Sequence, residues 1–409
     1  MAKVIVVGAG PAGMMAAIKA AEQNEVTLVD GNNRLGKKMF ITGKGRCNVT
    51  NSKDISDFFD YIYGNAEFLY SSLYQYTNID VIEFFKNNGV ELKAERGGRM
   101  FPKSDKSSDV ISGMKRALKS ANVKILLESK VIDAKSEDNK IKYLLLQDGR
   151  KIKGDYFIFC TGGVSYPLTG SDGKGHEIIK KLGHNITKLK PSLVPIELKE
   201  DFIKDLAGLN LRNIELTLKS NNSKKYLYKD FGEILFMKYG ISGPLSLKAS
   251  RFIKDEETTE YTIELDLKPA LTEKELDARI QKDFKKYINS DFKDSLNELL
   301  PQKLIPIIIS ESKIEENKKV NSITKDERKN LVNLLKCFKL HILGLRPLSE
   351  AIVTAGGVSV KEIDPSTMKS KLISNLSFAG ELMDVDAFTG GYNIQIALST
   401  GYLAGKEIN

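Results

Sequence analysis

The chain has 409 residues, 41% of them hydrophobic and 28% charged, with 32 glycines against 11 prolines; this excludes disordered, collagen-like and proline-rich classes and predicts two or three folding units. The 62 lysines and arginines exceed the 53 acids by 9, a surplus that suits an acidic ligand or RNA and equally describes a lysine-rich solvated surface. Three scattered cysteines, Cys47, Cys160 and Cys337, with no C-x-x-C spacing, argue against a disulfide scaffold, a zinc ribbon or a dithiol relay and point to a reducing, cytoplasmic compartment.

In chain order, the first strand, Val4 to Val7, starts almost at Met1, so no secretory presequence is expected, and no window offers the roughly 18 apolar residues of a membrane-spanning helix. Further strands are predicted at Val26 to Val29, Val123 to Leu127 and Tyr156 to Cys160, with helices at Ala12 to Gln23, Glu67 to Asn87 and Asp109 to Ser120. Short β-branched runs alternating with amphipathic stretches are the pattern of a parallel sheet with crossover helices. Near Pro191 the texture changes to alternating strands such as Ile214 to Leu218 and Tyr261 to Leu267 without helices between them, an antiparallel pattern. From Thr272, a helix cap, to about Lys336 the spacing is helical, and glycine-punctuated strands and a terminal helix follow from Ala351. The expected division is 1–190 for the first part of an α/β domain, 191–270 for an antiparallel β insertion, 271–340 for a helical insertion and 341–409 for the return and completion of the first domain.

Gly8-Ala9-Gly10-Pro11-Ala12-Gly13 follows the first strand and opens a helix. In that context G-x-G-x-x-G has a physical meaning: Gly8 permits the turn, Gly10 lets a pyrophosphate reach the backbone, and Gly13 lets helix and strand pack closely. Asp30, ending the second strand, can accept bonds from ribose hydroxyls. The segment Leu35 to Asn51 then runs as a basic, glycine-rich and extended stretch. Lys37 and Lys38 suit phosphate, and the backbone from Gly43 to Asn48 suits close passage by a flat ring system, a plain surface loop being the alternative. Gly170 to Gly175 has the wrong glycine spacing for a second dinucleotide motif and is expected to open a helix.

The stretch Met39 to Asn51 resembles the loop of the BaiN/YhiN-like flavoproteins, the aminoacetone oxidase-like FAD-binding family. Glu95 to Pro102, Thr161 to Pro167 with Gly170 to Gly175, Tyr239 to Pro244, and Phe378 to Glu381 through Thr389 to Gln395 fit the same family. The resemblance implies an α/β fold, a Rossmann-like FAD-binding domain of glutathione-reductase type split by a β-barrel-like insertion and a small helical insertion. It places the AMP half of FAD on Gly8, Gly10, Ala12, Gly13 and Asp30, with Lys37 and Lys38 nearby and the backbone of Val131 at the adenine. It puts Thr42, Gly43, Gly45, Arg46 and Asn48 along the cofactor, Thr161, Gly162 and Gly163 beneath it, and Gly380 and Glu381 at the ribityl and pyrophosphate. Gly391, Asn393 and Ile394 begin a last helix whose N-terminus points at the flavin pyrimidine, where its dipole favours the anionic reduced ring. Two departures stand out: Asp30 replaces a common Glu, and Lys44 replaces a frequent Gly.

Cys47, Tyr166 and Tyr392 are the side chains that could exchange a proton or act as a redox centre; packing is the better reading of Cys47 and accounts for the two tyrosines at least as well. His176, His184 and His341 lack metal-ligand spacing, so no metal is expected. Arg46 and Arg99 suit a carboxylate or the flavin. The resemblance implies an FAD-dependent oxidoreductase acting on a small-molecule substrate. Two reactions stay open: NAD(P)H-dependent reduction of an activated C=C bond in a steroid-like or bile-acid-like compound, or oxidation of a small amine by oxygen. An RNA-modifying flavoprotein and a non-enzymatic flavin sensor are the further alternatives. No RNA-binding module is recognisable, so a nucleic-acid partner is not expected.

Overall fold

The computed structural model describes residues 1–221, 225–254 and 260–408. The chain divides into two compact units, one made of residues 1–192 with 348–409 and the other of residues 193–347.

The first unit begins with β1 (Lys3–Val7), α1 (Pro11–Ala20) and β2 (Glu25–Val29). Then come α2 (Lys37–Gly45), β3 (Thr50–Asn51), α3 (Tyr70–Gln75), α4 (Asn78–Asn87), β4 (Leu92–Glu95), β5 (Arg99–Pro102) and α5 (Ser107–Ser120). The strands β6 (Lys124–Leu126), β7 (Val131–Glu137), β8 (Lys140–Leu146), β9 (Lys151–Ile152) and β10 (Tyr156–Phe159) precede α6 (Lys174–Lys181) and β11 (Lys190–Ser192). After the second unit the chain completes the first with β18 (Val353–Ala355), β19 (Leu376–Phe378) and α11 (Tyr392–Lys406).

Its central sheet has the order β19-β10-β1-β2-β6, and all four pairings are parallel. The strands are short and apolar because both faces are covered: Val4, Val6, Leu28, Phe157, Ile158 and Phe378 are fully buried. Helix α1 starts with Pro11 where the missing N–H costs nothing, and it lies flat against α11. Two glycines permit that contact, since a Cβ on Gly401 would stand 2.3 Å from the Ala12 carbonyl oxygen and one on Gly405 2.4 Å from that of Ala16. Beside the main sheet lie two small antiparallel sheets, β3-β5-β4 and β7-β8-β9.

The continuous helix expected from Glu67 to Asn87 is broken. Tyr76 is extended, and Thr77 starts α4 afresh with a reciprocal cap in which its hydroxyl and Asp80 satisfy each other's backbone N–H groups.

The second unit contains a closed six-stranded barrel built from β12 (Ile196–Leu198), β13 (Asn210–Ser220), β14 (Tyr226–Met237), β15 (Gly240–Ser242), β16 (Tyr261–Asp266) and β17 (Phe338–Leu345). Its order is β12-β15-β14-β13-β16-β17, closed by β12 pairing with β17 as Ile196↔Leu345. The predicted alternation is observed: Ile214, Leu216 and Leu218 fill the interior while Glu215 and Thr217 between them are only partly buried. Four helices complete the unit, α7 (Pro244–Ser250), α8 (Glu273–Lys286), α9 (Ile305–Ser312) and α10 (Lys325–Lys336). Thr272 with Glu275 and Thr324 with Glu327 form reciprocal caps on α8 and α10. Leu276, Ile280, Leu331 and Leu335 share one core with Ile263 and Leu265 of the barrel. No helix among the described residues is long and apolar enough to cross a membrane.

Two buried histidines stabilise the first unit only while neutral. His176 Nε2 lies 3.1 Å from the Leu382 carbonyl oxygen and His184 Nε2 lies 2.8 Å from Ser370 Oγ, while both Nδ1 atoms are buried without a partner. Burial lowers both pKa values, and the opposing pull of Glu381 on His176 and of Glu362 on His184 is smaller. Above about pH 6.5 neither folded nor unfolded chain protonates these rings; below it the unfolded chain takes up protons first, so stability falls. The expected loss, read from urea melts between pH 7.5 and 5.5, is up to about 1.4 kcal/mol per pH unit for each histidine until its folded-state pKa is passed. A His176→Gln/His184→Gln protein has a flatter profile over the same range.

Candidate functional site

The C-terminal ends of β1, β2, β10 and β19 are where this sheet can receive a ligand. Three glycines occupy the first turn in three distinct ways. Gly8 has φ +103° and a Cβ there would stand 2.4 Å from the Cys160 carbonyl oxygen; one on Gly13 would stand 1.8 Å from the Gly8 oxygen; one on Gly10 meets nothing within 4 Å. Gly8 and Gly13 are thus demanded by the protein itself, whereas Gly10 leaves open space in front of the N-terminus of α1.

Asp30 knits this turn. Its Oδ2 accepts from the Ala9 N–H at 2.6 Å, and its Oδ1 accepts from the Asn32 backbone N–H at 2.7 Å and side-chain amide at 2.8 Å. Lys37 Nζ reaches Asn32 Oδ1 at 3.3 Å. The chain leading into β7 packs here too, with Glu128 N–H on the Asn32 carbonyl and Ser129 N–H on the Asp30 carbonyl, which brings Val131 to the same end of the sheet as Asp30. A polar cavity of about 560 Å³ opens between Asn32, Lys37, Glu128 and Lys130.

The stretch after Leu35 is not extended as expected. It forms the helical turn that begins α2, because Leu35 and Met39, four apart, are both buried, at 4% and 1% exposure. The chain then coils left-handed: Gly43, Lys44, Gly45 and Cys47 have φ of 57°, 59°, 83° and 63°. The Thr42 carbonyl takes the Cys47 N–H at 3.0 Å, and Asn48 Oδ1 is buried with no partner among the described residues. Arg46 pairs with Glu95 at 2.8 Å and Asp105 at 3.2 Å.

After β10, Thr161 Oγ1 is likewise buried without a partner, Gly162 has φ +72°, and a Cβ on Gly163 would stand 2.3 Å from Thr354 Oγ1. Here lies a network that the sequence reading missed. Glu381 accepts from Lys38 Nζ at 2.7 Å, from the Thr354 N–H at 2.8 Å and from Ser165 Oγ at 3.1 Å, and Lys38 also donates to Ser165 Oγ at 2.6 Å. Thr354 Oγ1 in turn accepts the Val164 N–H at 2.8 Å. Four separate segments of the chain are fastened at one carboxylate. Gly380, with φ +73°, sits against the first turn of α1, since its Cβ would lie 2.8 Å from that of Ala12.

At the start of α11, Gly390 and Gly391 have φ of 136° and 100°, and a Cβ on Gly391 would lie 2.3 Å from the Thr50 carbonyl oxygen. Asn393 closes the preceding loop by bonding both the N–H and the carbonyl of Ala387, at 2.9 and 2.7 Å; Ile394, next in the helix, packs against the core. Asn51, also missed although it ends the Met39 to Asn51 stretch, ties two glycine turns together through the Gly97 and Gly390 carbonyls, each at 3.0 Å.

Of the side chains considered for chemistry, Cys47 is fully buried and burial pushes its thiol up to about 12. Tyr392 is 2% exposed and stacks on Tyr61 at 4.5 Å; desolvation raises its phenol, with the neighbouring Tyr61 and Asp57 adding to the rise. Tyr166 is only partly buried, and desolvation, followed by Glu350, keeps its phenol protonated.

Gly10's open face, two unpartnered buried oxygens at Asn48 and Thr161, and the helix N-termini of α1 and α11 on one unit fit a long dinucleotide cofactor.

Comparison with known proteins agrees. The model of the HI0933-like protein Rossmann domain matches residues 2–407. A 3-dehydro-bile acid delta(4,6)-reductase of Clostridium scindens is 30% identical over 99% of this chain and 98% of its own. A ribosomal RNA dihydrouridine synthase of Haemophilus influenzae is also 30% identical, over 99% and 98% of the two chains. Among solved structures, a 3-ketosteroid delta1-dehydrogenase of Sterolibacterium denitrificans superposes with a TM-score of 0.53 at 11% identity, over 99% of this chain and 98% of that one, a likeness of fold.

Proposed function

The chain belongs to the HI0933-like Rossmann-domain family and is an FAD-dependent oxidoreductase, and from that premise we propose that it reduces a ring C=C bond conjugated to a carbonyl, with NADH or NADPH as electron source. One observation carries this reading: two relatives 30% identical over 99% of the chain are by name a delta(4,6)-reductase and a dihydrouridine synthase. Different as those substrates are, each name describes the addition of two hydrogens to an unsaturated ring.

Bound FAD supplies hydride transfer. The chain's own residues do the rest. The N-terminus of α1 at Gly10 would take the diphosphate; Asp30 would shape the ribose end by fixing Ala9 and Asn32; Lys38 and Glu381 would hold together the segments that receive the cofactor; and the N-terminus of α11 would favour negative charge on the ring. Hydride addition also consumes a proton. Of the three side chains that could give it, Cys47 and Tyr392 are sealed in the core, so the role falls to Tyr166. Tyr166→Phe is expected to leave flavin reduction by the nicotinamide unchanged and to slow reoxidation by the substrate on the order of 100-fold, followed by stopped-flow absorbance.

The reading is tested on the purified yellow protein without oxygen. NADH or NADPH should bleach the flavin, and either a uridine-containing RNA or a ring enone should restore the colour with saturation of the C=C bond. Bleaching by aminoacetone with no response to either nucleotide overturns the proposal in favour of an amine oxidase.

A further inference from the structure

The start of α11 is fastened by a chain of hydrogen bonds inside the core of the first unit. Thr50 Oγ1 donates to Gln395 Oε1 at 2.6 Å, Gln395 Nε2 donates to the Tyr76 carbonyl at 3.0 Å and to Ser399 Oγ at 2.9 Å, and Ser399 Oγ donates to the same carbonyl at 2.6 Å. Thr50, Gln395 and Ser399 are fully buried. Both ends of the Gln395 amide are thereby satisfied, and the break between α3 and α4 supplies the acceptor, since the carbonyl belongs to the extended Tyr76. Next to Thr50 in β3, Asn51 donates to the Gly390 carbonyl at 3.0 Å, and Asn78 holds Asn51 through its carbonyl at 2.7 Å.

The rest of the helix is held differently. It buries Ile396, Leu398, Leu403 and Ala404 and lies on α1 through Gly401 and Gly405. Apolar packing of that kind is non-directional, so it presses α11 onto its neighbour without fixing where the helix begins. Buried hydrogen bonds do fix it, because sliding α11 along its axis would leave the Gln395 amide or the Thr50 hydroxyl unpaired in the core. A further bond, from the Gly380 N–H to Thr400 Oγ1 at 3.0 Å, lies deeper in the helix. The field of a helix end falls off within one turn, so a small axial shift changes what the N-terminus of α11 does to a ring in front of it.

We propose that Thr50 and Gln395 are positioning residues for the flavin: by fixing the axial position of α11 they set how strongly its N-terminus favours the reduced ring, and so the midpoint potential of the bound cofactor. The proposal rests on the reading above that places the ring at the N-terminus of α11. Both side chains are sealed in the core, so they act through the helix and not by contact with the ring. The direction follows from the sign of the helix end. A loosened α11 presents its positive end less closely to the negative charge of the reduced ring, which lowers the potential.

The test uses the FAD-loaded protein, with the midpoint potential read by equilibration against a reference dye without oxygen, alongside melting temperature and FAD affinity. Thr50→Val is expected to lower the ratio of affinities for reduced and oxidised FAD about 3- to 10-fold, which for a two-electron couple is a fall of roughly 14 to 30 mV. Thr50→Ser, which keeps the hydroxyl, retains the parental potential. The double variant Thr50→Val/Gln395→Leu removes donor and acceptor together and leaves the Tyr76 carbonyl its bond from Ser399, so it folds even if Thr50→Val alone does not, and it shows the same fall. A network that only stabilises the fold would lower the melting temperature and weaken both redox states equally, leaving the potential at the parental value; that result overturns the proposal, as does an equal fall in Thr50→Ser. Asn393→Asp checks the placement of the ring separately, because it adds a carboxylate to the first turn of α11 and lowers the potential wherever the ring faces that turn. A fall in Asn393→Asp with none in the Thr50 and Gln395 variants refutes the positioning role and keeps the placement. No change in any of them refutes both.

Discussion

Gly10→Val is expected to yield a folded, colourless protein, whereas Gly13→Val is expected to yield little folded protein at all. The contrast comes from what each new side chain would meet. At Gly13 the first added carbon would fall 1.8 Å from the Gly8 oxygen, inside the strand-turn-helix contact itself. Relief requires α1 to leave β1, at a cost on the order of 4 kcal/mol or more. At Gly10 the same carbon meets nothing, and the backbone there is extended, with φ −77° and ψ −176°, which valine adopts freely. The cost appears only when a diphosphate must occupy that space and bond to the helix N-terminus. Loss of one or two charge-assisted hydrogen bonds, about 1.5–3 kcal/mol each, lowers FAD affinity by roughly 10- to 10,000-fold. Thermal melting of the apoproteins and flavin titration separate the two effects. Full FAD occupancy in Gly10→Val would refute the placement of the diphosphate.

Glu381→Gln carries the second large effect. Its side chain and that of Lys38 are each 21% exposed, so the ion pair is partly screened but not a surface pair. Glutamine keeps an oxygen for the Thr354 N–H and removes the charge that Lys38 faces. The expected destabilisation is about 1–3 kcal/mol, seen as a fall of several degrees in the melting temperature, with looser FAD binding because four segments of the chain lose their common anchor. Lys38→Met/Glu381→Gln should recover part of the loss, since it removes the unpaired ammonium as well. Strictly additive losses in the two single variants and the double would mean that the network is not coupled, and a fully occupied flavin in Glu381→Gln would separate it from cofactor binding.

How much of this could be read beforehand depended on how local each determinant was. The turn from Gly8 to Gly13 was legible because three glycines and a proline specify it within six positions. The Thr272 cap and the alternation of Ile214 to Leu218 were legible for the same reason. The helical turn at Lys37 was not, because Met39, Phe40 and Ile41 stand in a row among glycines and lysines, and nothing in the row marks Met39 as the one that is buried with Leu35. Barrel closure through Ile196 and Leu345 and the bonds that tie Lys38 to Ser165 and Glu381 and Ser165 to Glu381 depend on pairings across more than a hundred positions, which no window contains. The expectation against a nucleic-acid partner rested on the absence of a recognisable module.

The sheet order also sets a schedule for synthesis. Strand β19 and helix α11, which complete the edge of the central sheet and cover α1, are made only after residues 193–347, which form their unit from one continuous stretch. At about 5–20 residues per second, the interval between making α1 and making α11 is on the order of 20–80 seconds. Throughout it, the nascent β1-α1 turn has its glycines in place but neither the helix that packs over Ala12 and Ala16 nor the strand beside β10. The stretch 193–347 is thus complete while the first unit is still half-made, and the cradle closes only once α11 has followed.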